Sequence, residues 1–121
     1  MTGHNKHPQA GDVYWIDPNP ASGKEMRNKH RFVIITPQQI NALGISMAVP
    51  ITQGGAFAKA KGLAVPISGK TTRGLAICNQ IRSFDLKTRM QLKKASYVET
   101  LDKKLTSEIV NRVLSVIEPA A

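Results

Sequence analysis

The chain's apolar segments are short and interrupted, and this limits its fold more than any other feature. DVYWI (12–16), RFVIIT (31–36), ISMAVPI (45–51) and GLAVPI (62–67) are rich in β-branched residues, and DPNPASG, PQQINALG and TQGG separate them. Proline lacks an N–H and glycine carries a large entropic cost in regular structure, so no long helix crosses these breaks. Each run reads instead as a buried strand, and the series as an all-β barrel or a strongly curved sheet. LAICNQIRSFD (75–85) is long enough for one bent strand or for two strands meeting at a bulge. Pro37 opens a short turn or single helical segment, PQQINAL, that Gly44 closes. The end of the chain has a different period. From Asp102, Leu105, Ile109, Val113 and Val116 recur every three to four residues with Val110, Leu114 and Ile117 beside them, which predicts a helix stopped by Pro119 and packed on the strands.

At 121 residues there is material for one core. We read residues 1–10 as a flexible polar tail and 11–121 as a single domain, without internal repeat or linker. No apolar run approaches the roughly 18 residues that span a bilayer, and the N-terminus MTGHNKHPQAG lacks the apolar core of a secretory signal, so a cytoplasmic location is expected. Cys78, the one cysteine, sits in apolar GLAICNQI and reads as a buried, inert thiol. With three histidines beside it there is no zinc constellation, and neither metal nor cofactor is expected.

Charge carries functional information. Seventeen Lys and Arg oppose eight Asp and Glu, a net charge of +9. Residues 1–94 hold 14 basic and 4 acidic side chains, whereas 95–121 hold 3 and 4, so the positive field belongs to the body of the domain. Such a field fits nucleic acid or an acidic protein partner better than a merely solvated surface.

Three polar groups stand just outside strands, where a small barrel presents its ligand-binding residues. The first is Lys24, Glu25, Arg27, Lys29 and His30 leading into Arg31; the second is Thr52-Gln53-Gly54-Gly55; the third is Asn79-Gln80 with Arg82 and Asp85. Arg31 has the charge and fork for two phosphate oxygens, although pairing with Glu25 on the surface is the alternative. Thr52 offers a hydroxyl beside two glycines that let backbone approach a ligand, although TQGG taken alone reads more readily as a strand-ending turn. His30 is a candidate base; His4 and His7, in the tail, are not.

Four blocks in order, GDVYWIDPNPASGKE, HRFVIITP, NALGISMAVPITQGGAFAKAKGLAVPI and GLAICNQIRSFDLKTR, resemble the MazF/PemK toxins of bacterial type II toxin–antitoxin modules, nearest the PemK/ChpB-like branch. The resemblance runs from Gly11 to Ile117. It implies a mainly β, SH3-like, CcdB/MazF-like barrel with accessory helices, and a homodimer, for which we expect contact through the third-strand region and the C-terminal helix. It also implies a metal-independent endoribonuclease that cuts single-stranded mRNA. By the same resemblance Arg31, Thr52 and Glu25 are the catalytic set; the basic and polar residues Lys24, His30, Gln53, Lys59, Lys61, Lys70, Arg73, Gln80 and Arg82 are expected to bind the RNA. One subgroup of the family uses a His before that Glu and an Arg-x-Asp pair on a later strand. Lys24, Ile77 and Asn79 stand there instead, so that mechanism does not transfer.

The expected chemistry is attack of the RNA 2′-hydroxyl on the adjacent phosphate, giving a 2′,3′-cyclic phosphate and a 5′-hydroxyl. Arg31 stabilises charge, Thr52 holds an oxygen, and Glu25 is the base with His30 in reserve. Expected partners are an acidic, MazE/PemI-like antitoxin segment over the RNA groove, and operator DNA only through that complex. The competing class is a CcdB-like, non-enzymatic gyrase poison. Those rely on a Trp-Gly-Ile ending, whereas this chain ends SVIEPAA and has its only tryptophan at Trp15.

Overall fold

The computed structural model describes residues 7–18, 29–54 and 56–118. Lys24, Glu25, Arg27, Gly55, Pro119 and the first six residues therefore lie outside the described residues. The chain runs β1 (Asp12–Ile16), β2 (His30–Ile34), α1 (Gln38–Asn41), β3 (Ser46–Thr52), α2 (Ala56–Ala60), β4 (Ala64–Ser68) and β5 (Arg73–Ile77). It continues through β6 (Arg82–Phe84), α3 (Leu86–Gln91), β7 (Ala95–Thr100) and α4 (Lys103–Ile117). The strands form one seven-stranded sheet in the order β4-β5-β3-β2-β1-β7, with β6 also on β3, and every described pairing is antiparallel.

β3 organises this sheet. Its start, Ser46 to Ala48, pairs with β6, and its end, Ile51 and Thr52, with β5. LAICNQIRSFD thus forms two strands with a turn between them, where Gln80 N–H donates to the Ile77 carbonyl. Pro50 pairs with Phe32 of β2 and stands where β3 changes partner on its other side, so its missing donor disturbs the ladder least.

Alternation sends successive residues to opposite faces, and both faces are covered. Val13, Val33, Val49 and Ile51 pack with Ile109 and Val113 of α4. Tyr14, Ile16, Phe32, Ile34 and Ala48 pack with Phe84, Leu86 and Ala95, including an edge-to-face Phe32–Phe84 contact at 5.1 Å. Burial of both parities explains why the strands read as continuous apolar runs. The helix expected from residue 102 is present: the Asp102 carboxylate caps it by accepting from Leu105 N–H at 2.8 Å, and Ile109 and Val113 form its buried stripe.

The mainly β expectation holds, but no ladder joins β4 to β7 among the described residues, so hydrogen bonding leaves the sheet open. A side chain crosses the opening. The carboxylate of Glu99, on β7, accepts from the backbone N–H groups of Lys70 at 2.8 Å and Thr71 at 3.0 Å, in the β4–β5 turn.

Candidate active site

The start of β2, the end of β3 and the β4–β5 turn bound a cleft of about 600 Å³ lined by Trp15, Lys29, His30, Arg31, Ile51, Thr52, Gln53, Thr71 and Arg73. The register assembles it. Arg31 lies between Trp15 on β1 and Ile51 on β3, next in sequence to His30 at the start of β2, while Ile51 is followed by Thr52 at the end of β3. Adjacent residues of a strand point to opposite faces, so Arg31 and His30 approach the cleft from different sides where the sheet ends.

Arg31 is anchored through a single nitrogen. Its Nη1 donates to the Thr71 carbonyl and, at 2.9 Å, to Thr72 Oγ1, while the guanidinium lies 5.1 Å from the centre of the Trp15 ring. Lys29 Nζ stands over the same ring at 5.9 Å. A guanidinium has five N–H donors, so Nε and Nη2 retain theirs for an anion in the cleft. Thr52 Oγ1 accepts from Gly54 N–H at 3.2 Å, which makes the turn and leaves the hydroxyl proton to donate. Gln53 Nε2 donates to the Arg73 carbonyl at 2.7 Å, tying this turn to β5. Gly74 permits the close approach: its φ is +141°, and a Cβ there would stand 2.7 Å from the Thr52 carbonyl oxygen.

The structure therefore brings Arg31, Thr52, His30, Gln53 and Arg73 together. Lys59, Lys61, Lys70, Gln80 and Arg82 do not line this cleft. Arg82 has a structural contact instead, with Nη2 donating to the Pro18 carbonyl at 2.8 Å and the guanidinium 5.5 Å from the Phe84 ring. Cys78 is fully buried, and burial pushes its thiol up to about 11 although Arg112 draws it down, as an unreactive cysteine requires. Sequence reading missed Trp15, Thr71, Thr72 and Glu99 as parts of the site. Trp15 and Glu99 enter through strand pairing, and Thr71 and Thr72 through a turn that carries no ligand motif of its own.

Residues 9–117 match the family described as PemK-like, MazF-like toxin of type II toxin–antitoxin system. The chain belongs to this family. It is 31% identical over 113 residues to the endoribonuclease toxin ChpB of Escherichia coli K12, covering 91% of this chain and 94% of that one. MazF from Deinococcus radiodurans matches the fold with a TM-score of 0.77 at 21% identity, over 93% of this chain and 98% of that one. A MazE–MazF structure from the same organism matches with a TM-score of 0.72 at 18% identity, over 96% of this chain and all of that one. The toxin's family thus favours the RNA-directed class over the gyrase-poisoning class. No described helix is long and apolar enough to cross a membrane.

Proposed function

We propose that this toxin is an endoribonuclease that cleaves single-stranded mRNA in the cytoplasm and thereby stops translation. One observation carries the reading: a guanidinium held by one nitrogen keeps donors for an anion in the cleft that also holds Thr52 and His30. In the proposed reaction the 2′-hydroxyl attacks phosphorus as its proton passes to a base, and the P–O5′ bond breaks with the 5′-oxygen taking a proton from water, to which the protonated base then returns its own. Arg31 stabilises the extra negative charge, and Thr52 donates to a phosphoryl oxygen. Glu25 takes the 2′-proton, with His30 as the alternative, and the pH–rate profiles of Glu25→Gln and His30→Gln separate the two. Gln53 and Arg73 hold flanking nucleotides at the rim. Lys24, Lys59, Lys61, Gln80 and Arg82 are assigned to further contacts with the RNA.

The toxin acts as a homodimer, and Ile45, 51% exposed just before β3, with Leu114 and Ile117, 54% and 61% exposed on α4, supplies apolar surface for the contact. An acidic antitoxin segment covers the positive cleft, in keeping with the MazE–MazF complex this fold matches, and operator DNA is met only through that complex. Incubation with a long RNA, with and without EDTA, followed by mapping of the ends tests the chemistry. We expect discrete cuts, unchanged by EDTA, that leave 2′,3′-cyclic phosphate and are lost when the 2′-oxygen at the cut is removed. Cleavage that needs metal, or equal cutting of DNA, overturns this reading.

A further inference from the structure

Glu99 is 8% exposed and does not line the cleft, yet it is bonded to the turn on which Arg31 rests. Its carboxylate accepts from Lys70 N–H at 2.8 Å, Thr71 N–H at 3.0 Å and Thr71 Oγ1 at 3.0 Å. The same turn supplies both oxygens that accept from Arg31 Nη1, the Thr71 carbonyl and Thr72 Oγ1. The turn is built against the carboxylate: a Cβ at Gly69 would lie 2.7 Å from Oε1 and 2.9 Å from Oε2. An ionised carboxylate only accepts hydrogen bonds, so these converging donors suit it, whereas an amide would turn an NH₂ toward at least one of them. With no ladder between β7 and β4, this carboxylate ties the turn to the far end of the sheet.

We propose that Glu99 is a positioning residue for RNA cleavage: it sets the place of the 69–72 turn, and the turn sets the direction in which the Arg31 guanidinium faces the scissile phosphate. The inference rests on reading the cleft as the cleavage site. A displacement near 1 Å at a charge-stabilising group costs about 100-fold in rate, so loss of this support falls on kcat and spares binding by the rest of the cleft.

The test is a double-mutant cycle under single-turnover conditions with excess toxin, comparing wild type, Glu99→Gln, Arg31→Ala and the double variant, with affinity measured on RNA carrying a 2′-deoxy cut site. Glu99→Gln is expected to lower the cleavage rate by about 10- to 100-fold with affinity within about twofold. In the Arg31→Ala background it is expected to change the rate by less than about twofold, because its effect passes through Arg31. Trp15, the only tryptophan, adds a spectroscopic readout beside Arg31: Glu99→Gln shifts its emission when Arg31 is present and not when it is absent. Gly69→Ala, whose added methyl displaces the carboxylate, gives the same pattern and replaces Glu99→Gln if that variant does not fold. Wild-type rate in a folded Glu99→Gln, or an equal fold-loss with and without Arg31, overturns the positioning role and leaves the cleft's function standing. An inactive wild type overturns the cleft reading itself.

Discussion

At the scale of single residues, the cleft holds groups with separable tasks. Removing one charge-stabilising donor costs about 10²- to 10³-fold in rate. Arg31→Ala is therefore expected to slow cleavage by that factor with little change in thermal stability, and cleavage at the wild-type rate would exclude Arg31 from the chemistry. Thr52→Ala removes the proposed phosphate donor and the turn contact to Gly54 together, so it should lose most activity, whereas Thr52→Ser should keep both. Glu99 gives a pH dependence of known sign. Burial raises its carboxyl, but hydrogen bonds from the Thr72 side chain, the Thr71 and Lys70 backbone and the Thr71 hydroxyl outweigh burial and hold it at about 2, against an ordinary 4.5. A depressed carboxyl contributes its stability in full above the unfolded value and loses it as pH falls through the folded one. Denaturant midpoints should decline between about pH 4.5 and 2, and the decline should be shallower in Glu99→Gln; parallel curves would remove Glu99 from acid stability.

At the scale of elements, β3 is the member that both builds the core and ends in the site. Gly74 of β5 lets this junction close, with a left-handed φ and no space for a side chain beside the Thr52 carbonyl. Gly74→Ala is expected to cost about 1–3 kcal/mol of stability from backbone strain, before the clash is counted. It should also lower cleavage by moving the Thr52 turn, and wild-type stability and activity together would refute the close approach. α4 matters in another way. Ile109 is fully buried under the sheet, so Ile109→Ala should destabilise by about 2–5 kcal/mol in urea titrations while the folded fraction keeps its cleavage rate.

At the scale of the whole molecule, a net charge of +9 acts at longer range than any single contact. Lys29, Arg31 and Arg73 line the cleft, and each phosphate neutralised on a single strand contributes about −0.7 to the slope of log affinity against log salt. RNA binding should show a slope of about −2 from these three, reduced by about 0.7 in Arg73→Ala. A flat salt profile would mean that charge is not the grip.

Much of this molecule was legible along the chain, because strand runs, glycine and proline breaks and helical spacing are local patterns. β1 to β4, α1 and α4 follow directly from them, and so do Arg31 and Thr52 as strand-end candidates, while β5 and β6 are the two-strand alternative for residues 75–85 with β5 starting two residues earlier, at Arg73. α2, α3 and β7 were not read: α2 is five residues, AFAKA, α3 is six, LKTRMQ, with only Leu86 and Met90 apolar, and β7, ASYVET, is half polar. Missing β7 hid Glu99, and with it the turn that steadies Arg31. The amino-acid order by itself determined the composition of the strands, the C-terminal helix and the positive field, because propensity, period and charge are carried by neighbouring residues. Only the tertiary structure decided that Trp15, Arg31 and Thr52 share one cleft, that Arg82 turns to Pro18 instead, and that Glu99 reaches the turn at residue 71. Those facts depend on strand register and on contacts between residues up to 64 positions apart in the chain, which no local pattern encodes.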